Sequence, residues 1–306
     1  MRYDKIVALL HDRLARATGG VTAIVAAPSS REILSSLCDA LDAGFLSLVQ
    51  LVGNPAAIPF SNAAEQARFE VVPALLEAAI AAKVTELAAG QGRTIVVKGR
   101  ISSSTLLGAV LAAGRAQRRI SHIYVIDSSA FPDRAIIITD AGVNIRPDLA
   151  QKVEIIENAI ALARQIACET PRVALLSAIE YVNPSMQSSV EAATLKAMGE
   201  SGRFPGSFIE GPLALDAAMM PEAAAAKSLY GEVAGRADIL VAPDIESGNC
   251  TAKALIGATG RAMGVIYGAA VPIAFPSRGD SQATRLDSLM LAAALAEPYQ
   301  KEEQAA

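Results

Sequence analysis

The feature that most constrains this chain is a repeating triplet: a short, largely apolar run, a polar turn, and a stretch with helical spacing. The runs fall at 21–27, 45–52, 94–97, 122–126, 135–139, 173–176, 239–241, 264–267 and 273–275, and they are rich in valine and isoleucine. They do not alternate with polar residues, so both faces of each strand are buried, as in parallel sheets covered by helices. Helical patterns at 31–43, 105–115, 147–167 and 189–198 lie between them. Alternation of this kind predicts an α/β protein with mostly parallel sheets. Some ten strands exceed what one compact open sheet usually holds. Two three-layer α/β/α domains with an interdomain cleft are therefore expected. The first takes residues 1–120 and is completed by 271–306, where the last helix (283–296) returns to it; the second takes 121–270.

Composition supplies the core and removes several function classes. Of 306 residues, 52% are apolar and 19% charged, which is not a disordered composition. Nucleic-acid binders usually show a basic excess and stacking aromatics. Here the net charge is −4, aromatics are 4%, and tryptophan is absent, so no nucleic-acid partner is expected. No run approaches the ~18 apolar residues of a membrane span, and residues 1–16 lack the core of a secretory signal. A cytoplasmic protein with no membrane partner is expected. Cys38, Cys168 and Cys250 are far apart and odd in number, which predicts buried thiols rather than a zinc or disulfide framework.

In open α/β sheets ligands bind beyond the carboxyl ends of strands, so the turns after each run carry the chemistry. After 94–97 comes Lys98-Gly99-Arg100, then Ser102, Ser103 and Ser104. Two cations and hydroxyls at a helix start suit an anion, although on local pattern alone Ser103 or Ser104 is more readily read as a helix cap. After 135–139 comes Asp140, with Asn144 close behind; after 173–176 come Glu180 and Asn183. Glu180 is a base or an ion-pair member. Glu210 and Asp216 flank a Gly-Pro turn, and Asp244, Glu246 and Asn249 precede a helix near 251–257. Pro276-Ser277-Arg278-Gly279-Asp280-Ser281 follows the last run. Its arginine suits bidentate phosphate recognition, and Asp280 or Ser281 suits a helix cap. There is no GxxxxGK[ST] or GxGxxG. His11 and His122 are the only histidines, and His122 opens an apolar strand where a buried structural role is expected, so a Ser-His-Asp hydrolase is disfavoured.

These turns, in this order, resemble the phosphate acetyltransferase/phosphate butyryltransferase family. The matching segments are ITDAxxNI at 138–145, SAxExxNP at 177–184, GPLALD at 211–216, ADILVAPDIESGN at 237–249 and PSRGDS at 276–281. The resemblance runs from about residue 94 to 296 and leans to the butyryl-type branch; residues before about 93 carry no clear match. It implies two α/β/α domains with the active site between them, usually a homodimer. It implies reversible transfer of a short acyl group between acyl phosphate and coenzyme A, with no metal or redox cofactor. Arg278 matches the arginine that grips phosphate and Ser277 the serine that bonds the tetrahedral oxyanion. Ser103 matches a second substrate hydroxyl, with Ser104, Arg100, Asn183, Glu210, Asp216, Asp244, Glu246 and Asn249 as further substrate-side residues and Asp280 as the nearest carboxylate.

Two positions depart from the family pattern. Five residues after Ser103 the family usually has arginine, and this chain has Gly108. Seven residues after Ser277 the acetyl branch commonly has aspartate, and this chain has Thr284. Gly108 leaves open the alternative of a catalytically impaired relative that binds coenzyme A or acyl phosphate. A third reading keeps the fold and lets Asp140, Glu210, Asp216, Asp244 and Glu246 hold a divalent metal.

Overall fold

The computed structural model describes residues 2–90, 92–113, 116–128, 134–277 and 279–296. The chain divides into two compact units. A terminal unit comprises Val7–Arg118 and Met263–Ala306, and a central unit comprises Met1–Ile6 and Arg119–Ala262.

In the terminal unit the strands are β1 (Val21–Ala26), β2 (Leu48–Gly53), β3 (Glu70–Pro73), β4 (Arg93–Lys98), β10 (Ala262–Ala269) and β11 (Ile273–Ala274). Their order is β3-β2-β1-β4-β11-β10. All neighbours are parallel except the β10–β11 hairpin. The chain steps outward from β1 to β2 and β3, then returns to place β4 on the other side of β1. With right-handed crossovers, this reversal puts α2 (Arg31–Asp42) and α4 (Glu77–Leu87) on opposite faces. Accordingly α2 packs with α11 (Gln282–Leu295), and α4 packs with α5 (Ser103–Ala112). Both faces are thereby covered, which is why Val25, Leu51, Ile95 and Ile273 are fully buried.

The central unit holds β5 (Ala116–Ile126), β6 (Ile136–Thr139), β7 (Arg172–Leu176), β8 (Phe208–Leu213) and β9 (Ile239–Val241), in the order β5-β6-β9-β7-β8. Here β6, β9, β7 and β8 are mutually parallel and β5 runs antiparallel to β6. Helices α6 (Leu149–Gln165) and α7 (Gln187–Glu200) pack with each other and on the strands, and α10 (Ile245–Thr259) packs on β6. The core gathers Tyr124, Ile126, Ile138, Leu176 and Leu240.

Several expectations need correction. The Gly211-Pro212 step is not a turn: β8 runs through it to Leu213, so Glu210 lies within the strand. Proline is tolerated because β8 is an edge strand, paired only with β7. The helix expected near 251–257 begins at Ile245. The cysteines are free thiols, but Cys38 and Cys168 are only half-buried and Cys250 is exposed. Burial pushes the Cys168 thiol up to about 11. No helix among the described residues is long and apolar enough to cross a membrane.

Candidate functional site

The reversal of strand order in the terminal unit leaves a crevice at the carboxyl ends of β1 and β4, the place where doubly wound sheets bind ligands. Two turns are laced together there. The Gly99 N–H donates to the Ala26 carbonyl (2.8 Å) and the Arg100 N–H to the Ala27 carbonyl (2.9 Å). A Cβ on Gly99 would lie 2.3 Å from the Ala27 oxygen and 2.4 Å from that of Ala26, so only glycine fits. Ala27 itself is left-handed (φ 53°), an unfavourable conformation for a residue with a Cβ, held by hydrogen bonds to Val52 and Arg100 at the carboxyl end of β1.

A cavity of about 480 Å³ opens over these turns. Its walls come from the β1–α2 turn (Ser29, Ser30, Arg31, Glu32), the β4–α5 turn (Lys98, Gly99, Arg100), the β11–α11 turn (Pro276, Ser277), and Arg285 on α11. Ser30 caps α2 by accepting from the Ile33 N–H. Arg31 is locked by a two-pronged bond to Glu65, 2.6 Å on each arm, and this bond pulls the Glu65 carboxyl down to about 2. The Lys98 ammonium sits 5.4 Å from the centre of the Phe275 ring. Four cations thus face one cavity that contains Ser277.

The Ser277 turn is closed by Asp280. The carboxylate of Asp280 accepts from the Ser277 N–H (2.7 Å), and the Asp280 N–H donates back to the Ser277 carbonyl (3.2 Å). Asp280 is 8% exposed and is not the helix cap; Ser281 caps α11 through the Thr284 N–H. Arg278 lies outside the described residues. Likewise neither Ser103 nor Ser104 caps α5: Ser102 does, accepting from the Thr105 N–H at 3.1 Å. Ser103, half-buried, and Ser104, exposed, occupy the first turn beyond that cap.

In the central unit Asp140, Asn183, Asp216, Asp244, Glu246 and Asn249 follow the carboxyl ends of β6, β7, β8 and β9. Most are already engaged. Asp140 is buried and accepts from the Gly142, Val143 and Asn144 N–H groups; burial pushes its carboxyl up against those bonds. Lys227 bridges Glu180 (2.6 Å) and Asp216 (2.9 Å), and its bond holds the Asp216 carboxyl below the usual range. Glu210 accepts from the Ala234 N–H and serves a different loop. Asn183 accepts from the Ser185 N–H in its own turn. Asp244 is the N-cap of α10: burial raises its carboxyl, but bonds from the Ser247 N–H and hydroxyl, with Lys152 and Arg146 nearby, leave it lowered. Asn249 donates to the Ala141 carbonyl (2.8 Å), and Glu246 is exposed on the first turn of α10. Among the described residues no three His, Cys, Asp or Glu side chains are grouped to hold a metal.

The family model described as phosphate acetyl/butaryl transferase matches residues 63–293. This chain belongs to that family. It is 40% identical to a phosphate acetyltransferase of Rhizobium meliloti over 300 residues, covering 95% of this chain and 92% of the relative. It is 38% identical to a phosphate butyryltransferase of Clostridium acetobutylicum over 234 residues, covering 74% and 77%. The crystal structure of a branched-chain phosphotransacylase from Enterococcus faecalis superposes with a TM-score of 0.78 at 32% identity, covering 90% of this chain and all of that one.

Within this member of the family, the residues that sequence reasoning missed are Ser29, Ser30, Arg31, Glu32 and Arg285. They share one cavity with Ser277 and Arg100. The first four sit before residue 93, where no motif marks them. Their only local signal is a serine cap and a charged first turn, which is ordinary for any helix. Strand order, not local pattern, brings them to Ser277.

Proposed function

We propose that this chain moves a short acyl group reversibly between acyl phosphate and coenzyme A, with Ser277 and Arg278 at the reacting centre. The observation that carries the reading is the cavity at the β1/β4 crevice, which gathers Ser277 with Lys98, Arg100 and Arg285. An acyl phosphate is a dianion, and its transfer to a thiol asks for three things: a held phosphate leaving group, a stabilised oxyanion and a thiolate in line. Arg278 grips the phosphate on two oxygens, and Lys98 and Arg100 add positive charge. The Ser277 hydroxyl donates to the oxyanion, from a backbone held by Asp280. Ser103 and Ser104 contact substrate from the start of α5. The central unit's own substrate-side residues in this reading are Asn183, Glu210, Asp216, Asp244, Glu246 and Asn249.

Coenzyme A is a substrate in this reading, and no metal or redox cofactor takes part. The working form is a cytoplasmic homodimer, and the two compact units are its two domains. The test mixes purified protein with coenzyme A and acetyl, butyryl and isobutyryl phosphates and follows thioester formation, with and without chelator. The expected result is acyl-coenzyme A from at least one donor at a rate chelator does not change. Absence of product for every chain length overturns the reading. Preference among donors is expected to be graded, since each methylene is worth only ~1–3 kcal/mol in a pocket.

A further inference from the structure

Attack by a thiol needs a proton acceptor, and the position where the acetyl branch commonly carries aspartate is Thr284 here. Thr284 is buried, and its N–H is taken up by the Ser281 cap. Asp280 is spent on the Ser277 backbone. Asp140, Asp216 and Asp244 are tied to N–H groups or to Lys227. One carboxylate remains in the cavity. Of the described residues that line it, Glu32 alone carries a carboxyl group, and it shares the wall with Ser277. Glu32 is exposed, in the first turn of α2, and α2 packs against α11, which carries Arg285.

We infer that Glu32 is the general base that takes the proton from the coenzyme A thiol, a role that rests on the acyl-transfer reading above. The step balances without any further reagent. The thiol S–H gives its proton to a Glu32 oxygen, and the sulfur lone pair forms the C–S bond at the acyl carbon. The tetrahedral oxyanion then collapses, the C–O bond to phosphate breaks, and the leaving phosphate takes the proton back to depart as hydrogen phosphate. Run backwards, the same carboxylate takes the proton from hydrogen phosphate and returns it to sulfur.

The charges around Glu32 fit this role. Arg31 is its chain neighbour, Lys98 and Arg100 reach the cavity from the β4–α5 side, and Arg285 reaches it from α11. The Glu32 carboxyl lies below its ordinary range, through a bond with its own backbone N–H and one from Ser30, with Arg285 and Arg100 adding to the effect. It is therefore ionised and ready to accept a proton throughout the neutral range, and the same arginines favour a thiolate beside it.

The test compares wild type with Glu32→Gln and Glu32→Asp, using coenzyme A and the best acyl phosphate from pH 6 to 9. Wild-type turnover is expected to change little over that range. Glu32→Gln should lose about 100-fold at pH 7. Its remaining activity should rise about tenfold per pH unit across this range, below the thiol's own pKa, because it must wait for pre-formed thiolate. Glu32→Asp should recover part of the rate and the flat profile. A uniform loss at all pH values, with the profile unchanged, assigns Glu32 a merely structural part and overturns the proposal, as does a Glu32→Gln variant as active as wild type. Wild type that makes no thioester from any donor instead overturns the acyl-transfer reading itself, so the two failures are distinct. Thermal melts of both variants identify any that do not fold, and Glu32→Asp then carries the comparison.

Discussion

At the residue scale, the cavity depends on backbone approaches that admit few side chains. Gly99 lies against two carbonyl oxygens of the β1–α2 turn, and neither is a flexible tip that can swing away. Gly99→Ala is expected to destabilise by about 1–3 kcal/mol and to lower turnover by displacing Arg100, read by urea denaturation and steady-state rates. Gly108 is the opposite case. It is exposed on α5, and a Cβ there meets nothing within 4 Å. Gly108→Arg should therefore be stabilising by up to about 1 kcal/mol, from helix propensity alone. Because Lys98, Arg100 and Arg285 already line the cavity, its effect on kcat/KM should stay within severalfold. A gain of a hundredfold would mean that the missing family arginine limits this copy.

At the element scale, the turns after β4 and β11 are each organised by a side chain other than the ones proposed to meet substrate. Ser102 caps α5 and also meets the Ser104 hydroxyl, so Ser103 and Ser104 are not needed as caps, and Asp280 closes the Ser277 turn. Ser102→Ala should cost about 1 kcal/mol of stability, and Ser103→Ala should change stability by less than ~0.5 kcal/mol while raising KM. Equal melting losses in both variants would reverse the assignment. The strands show how far local pattern reaches. Continuous apolar runs marked β1, β4, β7, β9 and β11 because burial on both faces leaves that signature. β3 at Glu70–Pro73 is only part-buried at the sheet edge and gave no such run. β8 was hidden by Gly211-Pro212, which reads locally as a turn and is tolerated only at an edge. Ser277 was legible because a polar Ser-Arg turn directly follows a buried apolar run. Glu32 and Arg285 were not, because nothing local separates a ligand-facing charge from a solvated one.

At the scale of the whole molecule, one buried group ties stability to pH. His122 is 3% exposed, packs 4.4 Å from the Tyr124 ring, and is pushed down to about 3, first by burial and then by Lys253. In the unfolded chain it titrates near its ordinary value of ~6.5. Since the folded value is the lower one, the unfolded state binds the proton first, and stability is lost as pH falls from about 6.5 toward 3. Between pH 7 and 5 this one site should cost about 2 kcal/mol, and His122→Gln should flatten that slope in urea melts. An unchanged slope would show that other groups govern acid sensitivity.

The most direct test of acyl transfer at the Ser277 turn is one stoichiometric assay. Purified protein is given coenzyme A and butyryl phosphate, thioester and phosphate are both measured, and Ser277→Ala is run alongside. The prediction is one thioester formed per phosphate released by wild type, with kcat about 100-fold lower and KM little changed in Ser277→Ala. Thioester formation that is indifferent to Ser277, or phosphate release without thioester, would contradict it.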